Sequence, residues 1–423
     1  MSTIRNEAVF AFITHMHNRN IGPPKGDRKM KNKILTTLCL WAAIVLLAAC
    51  GKTITVVPSP SPLPSPVQIR WFIGVGGTLN EDLLRLVRSF TDDFNAKQTN
   101  IVLTLDIVPA DTANDVLSTE IASGNAPDIV GPFGVCAAYS IYKQWLDLGP
   151  YLEGYDLSIF EPEAADILEM GEDGLVGLPL ALYPSALYFN TRIFDEAGLY
   201  YPPGKYGEKY GMPSGSMADW NWDTLAEIAK LLTVDGGGHN ANEPNFNPQD
   251  IEQLGFTMPL NETCIKSTVS GEAESLQEYS IPGVDPTSEP FSSGDAAMAY
   301  AYSSYKDLLG TMSNWNFGAV PADPDNGKVT TALQVDMISA MKTTRYPMAA
   351  VQVIYAIASD PKIIRAWAMV PPESSVQGVP ALSSLHAEWL GHMNSTSPGF
   401  HWDTLLAGLD YAVGPQKCCW VYP

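Results

Sequence analysis

Basic residues are scarce in this chain: 25 Lys and Arg stand against 46 Asp and Glu, a formal charge of −21. Seven of the basic and two of the acidic residues fall within positions 1–50, so the remainder carries 18 against 44, a charge of −26. Such a surface repels phosphate backbones and excludes nucleic acid as a partner. Cysteine is scarce too, with six residues and no CxxC pair. His239, His386, His392 and His401 form no HxxxH-type cluster, so no metal or cofactor is expected. GxSxG, HExxH and P-loop motifs are all missing, and the many carboxylates sit in no catalytic pattern. The chain does not read as an enzyme.

Long apolar runs are limited to one. Lys31 and Lys33 precede ILTTLCLWAAIVLLAA at 34–49, which ends in small residues directly before Cys50. Positions 30–49 therefore read as a signal peptide. The segment LAAC at 47–50 resembles a bacterial lipobox, which implies that Cys50 becomes a lipid-modified terminus and membrane anchor. An uncleaved signal-anchor helix is the competing reading, and both export the protein. Met30, followed by Lys-Asn-Lys, is a more natural start than Met1, and 1–29 reads as an added, unstructured lead. From 50 to 67 a Pro/Ser alternation packs no core and reads as an extended tether. Cys39 leaves with the signal; Cys136, Cys264, Cys418 and Cys419 remain where disulfides are permitted, with no readable pairing.

With 423 residues the chain exceeds a single core, and two lobes are expected. Strand 68–73 ends in Gly74, Gly76 and Gly77. A helix capped by Asn80 follows, with Leu83, Val87, Phe90 and Phe94 at helical spacing. A strand at 101–109, a helix ending at Gly124 and a strand at 129–131 complete a strand-helix alternation that predicts a parallel sheet. Ligands of such sheets sit beyond the carboxyl ends of the strands, at loops 74–80 and 131–135 here. Residues 175–194 read as one aromatic-rich strand broken by Pro184, an edge strand or a crossing between lobes. Asn221 caps a helix through Leu225, Ile228 and Leu232, and 235–250 is a polar loop without the alternation of a calcium site. Ala296–Met298 suggests a helical turn, 299–305, 317–321 and 331–341 read as extended, and a helix begins at Pro347.

Five patterns in order carry a family likeness: ASGNAPDIV at 122–130, GLVGLPLALYPSALYFNTRIFDEAGL at 174–199, WNWDTLAEIAKLLT at 220–233, FSSGDAAMAY at 291–300, and WNFGAVP at 315–321 followed by TALQVDMISAMKTT. Together they resemble bacterial extracellular solute-binding protein family 1, which includes maltose-binding-like proteins. The resemblance implies an α/β, two-lobed periplasmic-binding-protein fold of type II. Lobe one would be 68–183 plus 318–360, and lobe two 188–315 plus 361–423, joined by hinge strands. It further implies the substrate-binding subunit of an ABC importer, with a small solute, a sugar above all, and the permease as partners. The region 257–290 is short for the family and the chain stops soon after GFHWDTLLAGLDYA. Lobe two is accordingly expected to be the weaker, with thin cover from about 386 onward.

Sugars offer apolar faces and dense hydroxyls, so aromatic platforms beside fixed polar groups are the side chains to seek. At the expected rims these are Trp71, Phe133, Tyr183, Tyr302 and Trp315, each of which has core packing as its plain alternative. Asp336 interrupts an apolar strand and needs a partner or a ligand. Asp128 reads as a structural cap first. A secreted glycosidase and a surface adhesion lipoprotein remain the competing functional classes.

Overall fold

The computed structural model describes residues 66–75, 81–134, 141, 143–170, 173–258, 290–369 and 378–413. Strand β1 (Val67–Ile73) buries Val67, Ile69 and Trp71 in alternation and then Phe72 and Ile73 as both faces become covered. Helix α1 (Glu81–Lys97) places Glu81 and Asp82 at its positive end and Leu83, Val87 and Thr91 inward. Strand β2 (Ile101–Ile107) runs parallel to β1, from Val67 opposite Ile101 to Ile73 opposite Ile107. Gly74 is required where β1 ends: its φ is +146°, and a Cβ would lie 2.3 Å from the Val108 carbonyl oxygen. Helix α2 (Ala110–Ala122) closes into Gly124, and strand β3 (Ile129–Gly134) adds parallel to β1. Asp128 ties this start together, accepting from the Arg70 N–H at 2.9 Å and from the Thr344 hydroxyl at 2.6 Å.

After helix α3 (Pro162–Leu168) comes β4 (Leu178–Asn190), thirteen residues that are all buried. The strand stops four residues before the expected 194. The Asn190 side chain accepts from the N–H groups of Arg192 and Ile193, which starts helix α4 (Thr191–Ala197). A hairpin, β5 (Lys209–Gly211) and β6 (Met217–Asp219), precedes helix α5 (Trp222–Leu232), which Asn221 caps by accepting from the Thr224 N–H at 2.9 Å. Strands β7 (Val234–Asp235) and β8 (Ile251–Gln253) bracket the polar loop. Within it the Asp235 carboxylate accepts from the backbone N–H groups of His239, Asn247 and Gly237, which holds its pKa below the usual carboxylate range.

Residues 296–298 do not make the expected helical turn. Leu254 exchanges backbone hydrogen bonds with Asp295 and Ala297, so the small side chains run extended into β9 (Met298–Tyr302). Strand β10 (Trp315–Gly318), β11 (Thr331–Ala340), helices α6 (Pro347–Ala358) and α7 (Pro361–Ala368), β12 (Val379–Pro380), α8 (His386–Thr396), α9 (Trp402–Ala407) and β13 (Ala412–Val413) complete the order.

One sheet carries the architecture, in the order β10-β4-β11-β3-β1-β2, with β9 and β12 also on β4 and β13 on β11. Strand β4 changes neighbours along its length. Its first half, Leu178–Pro184, lies antiparallel to β11, while Ser185–Phe189 pairs with β9 and Leu187–Asn190 with β10. Pro184 falls at this junction, opposite Leu333. The junction is stitched by buried polar atoms: Ser185 Oγ lies 2.6 Å from the Tyr300 hydroxyl and accepts from the Ala332 N–H at 2.8 Å. Helices α6 and α7 cover β11 and β4, and α7 also packs on α1.

Residues 386–413 are not thinly covered as expected. Trp389, Met393, Trp402, Leu405 and Leu409 are all buried, held by an aromatic chain from Tyr188 through Trp315 and Phe317 to Phe400 and Trp402. Each such side chain contributes roughly 1.5–3 kcal/mol of burial. The four cysteines at 136, 264, 418 and 419 lie outside the described residues.

Candidate functional site

Asp336 is the one charged residue within β11, and pairing gives it company. Gln334 faces Tyr183 and Asp336 faces Ala181, so Tyr183 and Asp336 are diagonal neighbours on the same face of the sheet. The Tyr183 hydroxyl donates to Asp336 Oδ2 at 3.0 Å. The Trp367 indole, brought over the sheet by α7, donates to the same carboxylate. Burial nonetheless outweighs both donors and pushes the Asp336 carboxyl up to about 6. Burial, then the Asp336 charge, raise the Tyr183 phenol well above its ordinary value, and the Asp307 carboxylate is close enough to add to the effect.

Two glycines shape the surroundings. Gly134 on β3 faces Asp336, and a Cβ there would lie 3.6 Å from Asp336 Oδ1 and 3.0 Å from Gln334 Nε2, so its lack of a side chain leaves the carboxylate uncovered on that flank. Gly378 lies against the Tyr183 ring, where a Cβ would approach Cε1 and Cζ to 3.0 Å. Asp336 is half-buried in consequence, between a glycine on one side and an aromatic wall on the other.

The remaining expected residues are placed elsewhere. Trp71 is 1% exposed and its indole N–H is committed to the Gly131 carbonyl at 2.7 Å. Phe133 is buried and stacks on Trp145 with centroids 5.0 Å apart. Trp315 donates to the Met312 carbonyl at 3.0 Å and packs among Tyr188, Phe317 and Phe400. Tyr302 is buried at the end of β9, opposite Ser185, one residue beyond Pro184 on the neighbouring strand. Tyr183 and Asp336 are thus brought together, Tyr302 ends beside them in the pairing scheme, and Trp71, Phe133 and Trp315 are packed into hydrophobic interiors. Of the expected rim loops, Gly74–Val75 and 131–134 are described and the rest lie outside the described residues, as does Cys50.

Sequence reasoning missed Trp367, Gly134 and Gly378. The only signal for Trp367 was an indole in the apolar stripe of IIRAWA, which is indistinguishable from core packing. Among the described residues no group of three or more His, Cys, Asp or Glu is arranged to hold a metal ion. What the arrangement offers is hydrogen-bonding chemistry: a held carboxylate acceptor with a phenol and an indole beside it.

Residues 79–362 match the family profile described as bacterial extracellular solute-binding protein. Curated relatives include binding proteins of Brucella abortus and Brucella suis, each 26% identical over 151 residues, or 35% of this chain and 32% of theirs. The match spans about a third of the length of those relatives. Among solved structures, an ABC substrate-binding protein of Listeria monocytogenes in complex with cycloalternan is 18% identical, with a TM-score of 0.54 over 83% of this chain and 88% of that one. A cyclic α-maltosyl-1,6-maltose binding protein from Arthrobacter globiformis is 15% identical, with a TM-score of 0.58 over 84% and 89%. A sugar transporter protein of Rhizobium etli in an open conformation is 17% identical, with a TM-score of 0.55 over 82% and 89%. At these identities the likeness is one of fold: two-lobed, mixed α/β.

Proposed function

The chain belongs to the bacterial extracellular solute-binding protein family, and on that premise we propose that it is the substrate-binding subunit of an ABC importer, capturing a carbohydrate between its lobes and delivering it to a membrane permease. The observation that carries this reading is Asp336, a carboxylate held by Tyr183 and Trp367 where β4 exchanges one set of partners for another. A half-buried charge of this kind weakens the fold, and a ligand that donates hydroxyl hydrogens to it offsets that cost. Carbohydrate ligands of the Listeria and Arthrobacter proteins named above support the same class.

The first crossing between lobes is placed at Pro184–Ser185. We take the return to be the FGAVP run at 317–321, which continues from β10. Closure about these two crossings would bring the second lobe over Asp336. Cys50 is proposed as the lipid anchor that keeps the exported protein at the membrane.

The test is a thermal-shift screen against neutral mono- and disaccharides, followed by calorimetry on the best binder. A ligand that binds only the folded state raises the melting temperature by mass action. Asp336→Ala and Tyr183→Phe are expected to weaken that binder by about tenfold or more, the size of one lost charge-assisted hydrogen bond. Unchanged affinity in both variants would move the site elsewhere.

A further inference from the structure

Every position of β11 is buried except two, Gln334 and Asp336. Alternate positions of a strand share a face, so both side chains lie on the same side of the sheet. Gln334 stands opposite Tyr183 on β4, and Asp336 stands opposite Gly134 on β3. Gly134 is half-buried as well, and it is the last residue of its strand. Solvent therefore reaches three adjoining positions where β11 meets the carboxyl end of β3, the end at which α/β sheets hold their ligands.

The Gln334 carboxamide is not used by the fold: it has no hydrogen-bond partner among the described residues. Its position is nonetheless close to the carboxylate. A Cβ built on Gly134 would lie 3.0 Å from Gln334 Nε2 and 3.6 Å from Asp336 Oδ1, so the amide nitrogen and the carboxylate oxygen converge over the bare backbone of this glycine. Asp336 Oδ2 receives the Tyr183 hydroxyl, and Oδ1 is the oxygen that faces the glycine. A solvated glutamine is ordinary at a sheet edge, but β11 runs between β4 and β3 in the middle of the sheet. An amide left unpaired there, beside a carboxylate with acceptor capacity to spare, offers one donor and two kinds of acceptor to the same small space.

We propose that Gln334 is a ligand-binding residue of this site and that, together with Asp336, it reads two hydroxyls on adjacent carbons. One hydroxyl donates its hydrogen to Asp336 Oδ1, and the oxygen of its neighbour accepts from Gln334 Nε2. Gly134 lets the ring approach, because any side chain at that position would stand between the two groups. A site built from such groups rejects an analogue that lacks either hydroxyl, since a polar atom is then left unpaired. This inference rests on the carbohydrate reading and deepens it by naming the feature of the sugar that is recognised, a vicinal diol.

The probes are glucose, mannose, galactose, maltose and mannobiose, followed by the full set of monodeoxy analogues of whichever binds most tightly in calorimetry. Gln334→Ala is expected to weaken the parent sugar by about tenfold. Its melting temperature should stay within about 2 °C of wild type, because the amide has no protein partner to lose. Gly134→Ala is expected to weaken the sugar by a similar factor and to fold normally: its backbone is outside the left-handed region, and the new methyl meets only the tip of a flexible side chain. Removing the hydroxyl at one carbon should abolish the effect of Gln334→Ala, and removing it at the neighbouring carbon should abolish that of Asp336→Ala. If Gln334→Ala binds the parent sugar as wild type does, or if the two silencing hydroxyls are not on adjacent carbons, the diol reading is overturned while the carbohydrate reading stands. A larger drop in the melting temperature of Gln334→Ala assigns the amide a structural role and overturns it as well. Should no neutral sugar bind the wild-type protein, the carbohydrate reading itself falls and takes this inference with it.

Discussion

At Asp336 burial outweighs two hydrogen-bond donors, and the result is a carboxyl that titrates at about 6 instead of near 4. The sign of the linkage follows. A group whose folded value is raised contributes its stability fully below its unfolded value, and that contribution is lost as pH climbs through the folded one. For Asp336 the window runs from about pH 4 to about pH 6. Two pH units would correspond to about 3 kcal/mol, and partial exposure screens this to about 1–2 kcal/mol. Asp336→Asn carries no charge at any pH in this range, so it should gain about that much relative to wild type between pH 4 and pH 7.5. Urea denaturation at the two pH values measures it, and a constant difference would mean that Asp336 is solvated in the native state. Trp315 makes the opposite case. Packed among three aromatic rings, Trp315→Ala is expected to cost about 3–5 kcal/mol of stability. A denaturation midpoint within error of wild type would place that ring at a surface.

Elements were legible wherever local chemistry sufficed. β1, α1, β2 and α2 follow from alternation, helical spacing and their stop signals, and Asn221 announces α5 by itself. Errors arose where a distant partner decides the outcome. The expected strand to 194 ended at 190 because an asparagine in an aromatic run turned out to be a cap, and 296–298 went extended because Leu254 pairs with it. The candidate site shows the same divide. Asp336 stood out as a charge in an apolar strand, and Tyr183 as an aromatic next to a strand-breaking proline. That they meet depends on a register between segments 153 residues apart, and that Trp367 joins them depends on helix packing. Trp71 and Phe133 carried the same aromatic signal as Tyr183, and only the finished sheet distinguishes a ring that lines its interior from one that meets a carboxylate.

For the molecule as a whole, attachment and architecture are separable. No described helix is long and apolar enough to cross a membrane, and Cys50 is our proposed anchor. Cys50→Ala should therefore move the protein from the membrane pellet to the soluble fraction, or arrest its processing. Unaltered partition on fractionation would reject the lipid anchor.

Strands β4 and β11 are adjacent and antiparallel, with Pro184 opposite Leu333, so the stretch between them, which itself supplies β9 and β10 to the same sheet, begins and ends at neighbouring rungs of a single ladder. Such a stretch behaves topologically as one very long excursion whose two ends are already fastened. Length can be added or removed within it at a closure cost that grows only slowly with the number of residues. The Tyr183–Asp336 contact lies on the fixed side of that fastening, while Tyr302 at the end of β9 lies on the variable side. A lineage could therefore retune which solutes it admits by lengthening, trimming or exchanging the excursion, without having to rebuild the acceptor that greets them.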